Sequence, residues 1–235
     1  VMGEAIVAGL LRKKLVAPSQ ITASHPRANR REELKEKYGI EVFEHNPDAV
    51  KSLPDSDSMI VLCVKPQRLT GVLHELGEVV QPNQLIISII AGATIETISN
   101  SLKNDYVVRA MPNTPSQIGH GMTAWTCAEQ VTDAQKAQVK ILLTALGKEL
   151  LVETENQIDM ATSLSATGPT YIFMMMEALT DAGVHMGFSR EVSKELVQQT
   201  MLGSTLFAME SHKQPAELRN MVTSPGGTSA AAIYE

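Results

Sequence analysis

The chain has 235 residues, a formal net charge of −6 and two cysteines. Its length suits one large domain or two modest ones, and the lack of a dense Lys/Arg patch argues against a nucleic-acid surface. Cys63 and Cys127 lie far apart and give neither a disulfide framework nor metal-ligand spacing, which points to a reducing cytoplasm.

The first two-thirds alternates short β-rich runs with helical stretches. EAIVAGLLRKK (4–14) reads as a helix, ITASH (21–25) as a strand and RANRREELKEKYG (27–39) as an exposed helix that Gly39 ends. IEVF (40–43) is a strand. NPDAVKSL (46–53) is a short helix with Asn46 as cap and Pro47 in the first turn. SMIVLCV (58–64) is continuously apolar, as a strand buried on both faces should be. A helix then runs from Pro66 to about Val80, followed by the strand QLIISII (84–90), a helix from Thr94 and the strand YVVRAM (106–111). The strands GMTAWTC (121–127) and KELLVE (148–153) flank a helix at 133–146.

Such alternation predicts crossover units and a mainly parallel sheet. Beyond residue 154 the pattern is helical throughout, including NQIDMATSLSA, PTYIFMMMEALTDAGVHMG and SREVSKELVQQTMLGSTLFAME. The expected organisation is therefore an α/β Rossmann-like domain over residues 1–154 and an all-α domain over residues 155–235. The longest apolar runs are too short to span a bilayer, and the residues shown contain no signal peptide.

In a doubly wound sheet, ligands bind beyond the carboxyl ends of the strands. After the expected strands come Ser24-His25-Pro26-Arg27, Lys65-Pro66, Ala91-Gly92-Ala93 and Pro112-Asn113-Thr114-Pro115. Any one of these could be an ordinary loop; four on one edge point to a nucleotide-sized ligand. VMGEAIVAGLL looks like the tail of a G-x-G-x-x-G fingerprint, with Gly3 as its last glycine. The stretch ASHPRANR, from within the strand ITASH onward, holds no acid to bond a ribose 2′-hydroxyl. Ser24 can instead donate a hydrogen bond, and Arg27, Arg30 and Arg31 offer positive charge, which favours NADPH over NADH. Arg30 and Arg31 are equally explained as a solvated helix face.

Two hydroxyl-glycine clusters stand out. LSATGPTYIF (164–173) reads as a helix entry, with Ser165 or Thr167 as cap and Pro169 in the first turn. TSPGGTSAA (223–231) reads as a turn opening a helix, able to aim backbone N–H groups at an anion. It lacks the lysine of a P-loop, so a small anionic substrate suits it better than a nucleotide. The six histidines show no ligand pairing, so no metal is expected. Met174–Met176 read as core or subunit contact.

Taken in order, MGEAIVAGL, VLCVKPQ, IISIIAGATIETI, RAMPNTP, LSATGPTYIF and VTSPGGTS resemble pyrroline-5-carboxylate reductase, over essentially all 235 residues. The resemblance implies reduction of 1-pyrroline-5-carboxylate to L-proline by NADPH, with NADH possible. It also implies a cytoplasmic homodimer joined through the helical domain, or rings of such dimers. Residue by residue, it places Met2, Gly3, Ser24, Arg27, Asn46, Val64, Lys65, Pro66, Ala91 and Asn113 at the cofactor. Glu155, Ser224, Gly226, Gly227, Thr228 and Ser229 fall at the substrate. The N–H groups of Gly226, Gly227 and Thr228 would receive the carboxylate, and Ser229 would approach the ring nitrogen, making Thr228 and Ser229 the catalytic candidates. Relatives often carry threonine at the position of Ser229. The resemblance also puts a first strand before Val1 and more helix after Glu235, so both ends are expected to be incomplete. The alternatives are a same-fold reductase of another imine or a β-hydroxyacid, and a catalytically silent NADPH-binding paralogue.

Overall fold

The apolar runs MIVL, LIIS and VVRAM become three adjacent parallel strands in the computed structural model, which describes residues 1–54 and 58–235. They are β3 (Met59–Leu62), β4 (Leu85–Ser88) and β5 (Val107–Met111). Side chains alternate faces along a strand. Ile86 and Val107 accordingly join one core with Leu73 and Ile98, while Ile87 and Val108 join another with Ile6, Val139 and Leu143. Burial on both faces is why these strands are apolar without alternation. Each fully buried Ile, Leu or Val contributes about 1.5–3 kcal/mol against leaving it in water.

The chain divides into two compact units, Val1–Pro169 and Thr170–Glu235. In the first, α1 (Met2–Arg12) leads to β1 (Thr22–Ser24), α2 (Ala28–Tyr38), β2 (Glu41–Phe43) and α3 (Asn46–Lys51). β1 and β2 pair in parallel, with Ser24 opposite Phe43. Gly39 ends α2 in the left-handed conformation at φ +67°. The cap of α3 is His45; Asn46, expected to cap it, is its first residue, and its side chain is engaged elsewhere.

The five-stranded sheet continues through α4 (Leu69–Leu76), α5 (Ile95–Leu102), β6 (Gly121–Cys127), α6 (Asp133–Thr144) and β7 (Gly147–Leu151), in strand order β3-β4-β5-β6-β7. β5 and β6 are antiparallel, with Ala110 opposite Trp125, whereas β6 and β7 run parallel. The reversal follows from the short link between β5 and β6, since a parallel neighbour needs a crossover of about a dozen residues or more. α7 (Glu155–Ala161) packs in this unit, with Ile158 fully buried beside Met111 and Ala124.

LSATGP links two helices, with Thr167 a bend before the second. Residues Thr162–Ala166 form a π-helical turn between α7 and α8 (Gly168–His185), and Thr167 donates both N–H and Oγ1–H to the Thr162 carbonyl. Thr167 is thus a donor within the turn, not an N-cap acceptor.

The second unit is helical: the rest of α8, α9 (Arg190–Ser211), α10 (Pro215–Met221) and α11 (Thr228–Tyr234). α8 and α9 touch where Gly183 faces Ser193; a Cβ on Gly183 would lie 2.6 Å from Ser193 Oγ. Much apolar surface stays exposed here, including Phe173, Met174, Met175, Leu196, Leu202 and Phe207. Among the described residues, no helix is long and apolar enough to cross a membrane.

Candidate active site

Because β3, β4 and β5 are parallel neighbours, the segments leaving them emerge at one edge of the sheet. That edge gathers Val64-Lys65-Pro66, Ala91 and Asn113. Val64 leans on the adjoining core, while Lys65, Pro66 and Ala91 are exposed. Gly3 brings the start of α1 to the same edge, since a Cβ there would sit 3.3 Å from Cys63 Cβ. Met2 packs against the core cluster beneath α1 and α6. The first helical hydrogen bond of α1 is Ala5 N–H to Val1 O, so the amides of Met2, Gly3 and Glu4 lie ahead of it.

The turn after β1 carries the arginines, and their pairing separates them. Arg30 is ion-paired with Glu4 and Glu33. Arg31 binds Glu44 at 3.0 Å and the carbonyls of His25 and Pro26. Among the described residues, Arg27 makes no ion pair and is exposed. Ser24, expected as an outward donor, gives its proton to Asn46 Oδ1 at 2.7 Å, and Asn46 Nδ2 donates to Glu75 Oε2 at 2.7 Å.

Asn113, on the loop after β5, accepts Met122 N–H at 2.9 Å and donates to the Ser165 carbonyl at 3.3 Å. Glu155 is committed to the frame around it. Its Oε1 accepts from Ile95 N–H at 3.0 Å, at the start of α5, and from Arg109 Nη1 at 3.1 Å. Arg109 is 1% exposed and also binds Asp159 at 2.6 Å. One buried guanidinium thus ties β5 to α7.

In the second unit, TSPGGTS forms a β-turn closed by Gly227 N–H to Ser224 O at 3.0 Å. Proline at its second position and Gly226 at φ +72° in its third are what a type II turn requires. Gly227 therefore spends the N–H expected for an anion within the turn. The first helical bond of α11 is Ala231 N–H to Gly227 O, which leaves the amides of Thr228, Ser229 and Ala230 ahead of it. Thr228 is exposed and Ser229 half-buried.

The family model for pyrroline-5-carboxylate reductase dimerisation matches residues 155–235, and one described as coenzyme F420-dependent NADP oxidoreductase matches residues 1–92. The pyrroline-5-carboxylate reductase of Pseudomonas aeruginosa is 42% identical over 233 residues, 99% of this chain and 84% of its own length. The chain belongs to the pyrroline-5-carboxylate reductase family. The solved reductase of Coxiella burnetii has a TM-score of 0.88 at 34% identity, covering 99% of this chain and 85% of that one. The Plasmodium falciparum enzyme, solved with NADP bound, has a TM-score of 0.88 at 28% identity, covering 99% and 84%.

Two groups of this reductase-family member escaped the sequence reading. Arg109 carried a signal, as a charge inside the otherwise apolar run YVVRAM. Glu75 carried none, because an exposed helical glutamate looks the same whether or not an asparagine from another element reaches it.

Proposed function

We propose that this chain reduces 1-pyrroline-5-carboxylate to L-proline with NAD(P)H, NADPH being the leading cofactor. The observation that carries the reading is its 42% identity to the Pseudomonas reductase across 99% of the chain. The motifs of the site lie inside that span.

The donor set suits a phosphorylated dinucleotide. Arg27 has no acid partner among the described residues, and the glycine at position 3 leaves room beside Cys63. Met2 and Gly3 would hold the pyrophosphate through first-turn amides of α1, where the helix is already positive. Ser24, Arg27 and Asn46 would hold the adenosine end. Val64, Lys65 and Pro66 would line the middle, with Ala91 and Asn113 toward the nicotinamide. When bound, the cofactor supplies the hydride.

On the second unit, Ser224 and Gly226 shape the loop, and Gly227 closes its turn. The amides of Thr228 and Ser229 would receive the substrate carboxylate. Ser229 Oγ would orient the ring nitrogen. A strong acid is not required there, since a cyclic imine takes up a proton readily near neutral pH; positioning supplies most of the rate. Glu155 serves as a positioning residue through Arg109, consistent with its hydrogen bonds.

The second unit pairs with another copy of this chain. The support is its exposed apolar helices, with Phe173 55% and Met174 62% exposed, and the match to the dimerisation model. Rings of such dimers are the larger assembly the family resemblance implies.

The test is loss of reduced-nicotinamide absorbance with 1-pyrroline-5-carboxylate, run against the six-membered-ring imine and with NADH beside NADPH. One methylene is worth about 10–200-fold in discrimination. Saturable turnover favouring the five-membered ring supports the reading. Preference for the larger ring, or silence with both, overturns it.

A further inference from the structure

Ser24 on β1, Asn46 on α3 and Glu75 on α4 form a hydrogen-bonded chain across three elements. Its polarity is set from one end. An ionised carboxylate only accepts, so the Asn46 atom meeting Glu75 must be the Nδ2 donor, at 2.7 Å. The amide then turns Oδ1 toward Ser24, and Ser24 Oγ donates to it at 2.7 Å. A serine has one proton. With that proton held inside, Ser24 presents only lone pairs outward.

Outward lone pairs suit a ribose 2′-hydroxyl, which can donate to them, and do not suit a phosphate oxygen, which cannot. We propose that Glu75 is a specificity-determining residue for the cofactor: acting through Asn46, it keeps Ser24 an acceptor and favours a dinucleotide with an unmodified 2′-hydroxyl. Glu75 thereby opposes Arg27, whose guanidinium favours a 2′-phosphate. The inference rests on the proposal that Ser24, Arg27 and Asn46 hold the adenosine end.

Glu75→Gln breaks the polarity without removing bulk, because a glutamine amide can meet either end of Asn46. Asn46 can then turn Nδ2 toward Ser24 and release the serine proton outward. The NADPH/NADH ratio is measured twice, as association constants from fluorescence titration without the imine and as kcat/KM, in the wild type, Glu75→Gln, Asn46→Ala, the double variant and Arg27→Asp. Glu75→Gln should raise the NADPH/NADH ratio about three- to tenfold, the range of one net hydrogen bond. In the Asn46→Ala background the same change should leave the ratio where it is, which a double-mutant cycle reads directly. A shift that persists without Asn46 would mean that Glu75 acts by its charge alone, and overturns the relay. An unmoved ratio in Glu75→Gln, while Arg27→Asp lowers it, overturns the role of Glu75 and spares the adenosine-end reading. An unmoved ratio in both defeats that reading and the inference with it.

Discussion

Asn113 Nδ2 lies 3.3 Å from the carbonyl oxygen of Ser165, joining the loop after β5 to the π-helical turn. The helix itself creates the need for this bond. Pro169, four residues after Ser165, has no N–H, so that carbonyl lacks its ordinary helical donor. The other end of the same amide accepts Met122 N–H at 2.9 Å. Asn113→Ala should therefore strand a donor and an acceptor, costing about 1–3 kcal/mol. Equilibrium denaturation in urea reads the cost as a lower midpoint at unchanged slope. A midpoint equal to wild type would show that the Asn113 contacts carry no stability.

Arg109 is nearly fully buried between two carboxylates, those of Glu155 and Asp159. Arg109→Met should destabilise by about 2–4 kcal/mol, toward the lower end for a broken buried pair because both carboxylates retain some water. Arg109→Lys should fall between the two. A single ammonium cannot reproduce the fork that reaches both acids. Thermal unfolding of the three proteins checks the order; a lysine variant as stable as wild type would contradict it.

These two networks mark where the sequence stopped being legible. Ile86, Ile87, Val107 and Val108 announced their strands because both faces are buried, and burial leaves a continuous apolar run. Pro225 and Gly226 announced their turn because few residues adopt its dihedrals. The partners of Arg109 lie 46 and 50 positions away in sequence, and no local pattern records such a choice. The reversal of β6 is set by the link at 112–120, too short for a parallel crossover, a cue that the alternation of strands and helices masked. The π-helical turn at Thr162–Ala166 has the same composition as a helix entry. At the candidate site, the loops were visible while the direction of their hydrogen bonds was not: Ser24 donates inward and Gly227 donates within its own turn.

Glu4 on α1 holds α2 through Arg30, Lys37 at 3.0 Å and Tyr38 at 2.9 Å. Partial burial alone would push its carboxyl up, but the hydrogen bonds from Lys37, Tyr38 and Arg30 prevail and bring it down to about 2. A carboxylate depressed in the fold stabilises above its unfolded value and loses that contribution as pH falls through the folded one. Wild-type stability should thus drop between the ordinary value of 4.5 and about 2. Glu4→Gln should remove about 1–2 kcal/mol of that dependence, allowing for solvent screening. Parallel curves for the two proteins across this window would contradict the assignment.

Gly226 holds φ +72° at the third position of the turn in TSPGGTS. A side chain there strains the backbone by about 1–2 kcal/mol. Gly226→Ala should raise KM for the imine several-fold and leave KM for NADPH unchanged, because the loop is proposed to hold the substrate and not the cofactor. Steady-state kinetics with each ligand varied in turn separates the two; a rise confined to NADPH would place the loop at the cofactor instead.

The most direct measurement is proline formed per NADPH consumed, with 1-pyrroline-5-carboxylate as substrate and Ser229→Ala alongside. The expected result is one proline per cofactor, and a loss of about tenfold or more in imine kcat/KM for the variant, as removal of a hydrogen bond at the reacting nitrogen should give. NADPH binding without proline, or an unaffected Ser229→Ala enzyme, would contradict the assignment of this loop as the place where the imine is reduced.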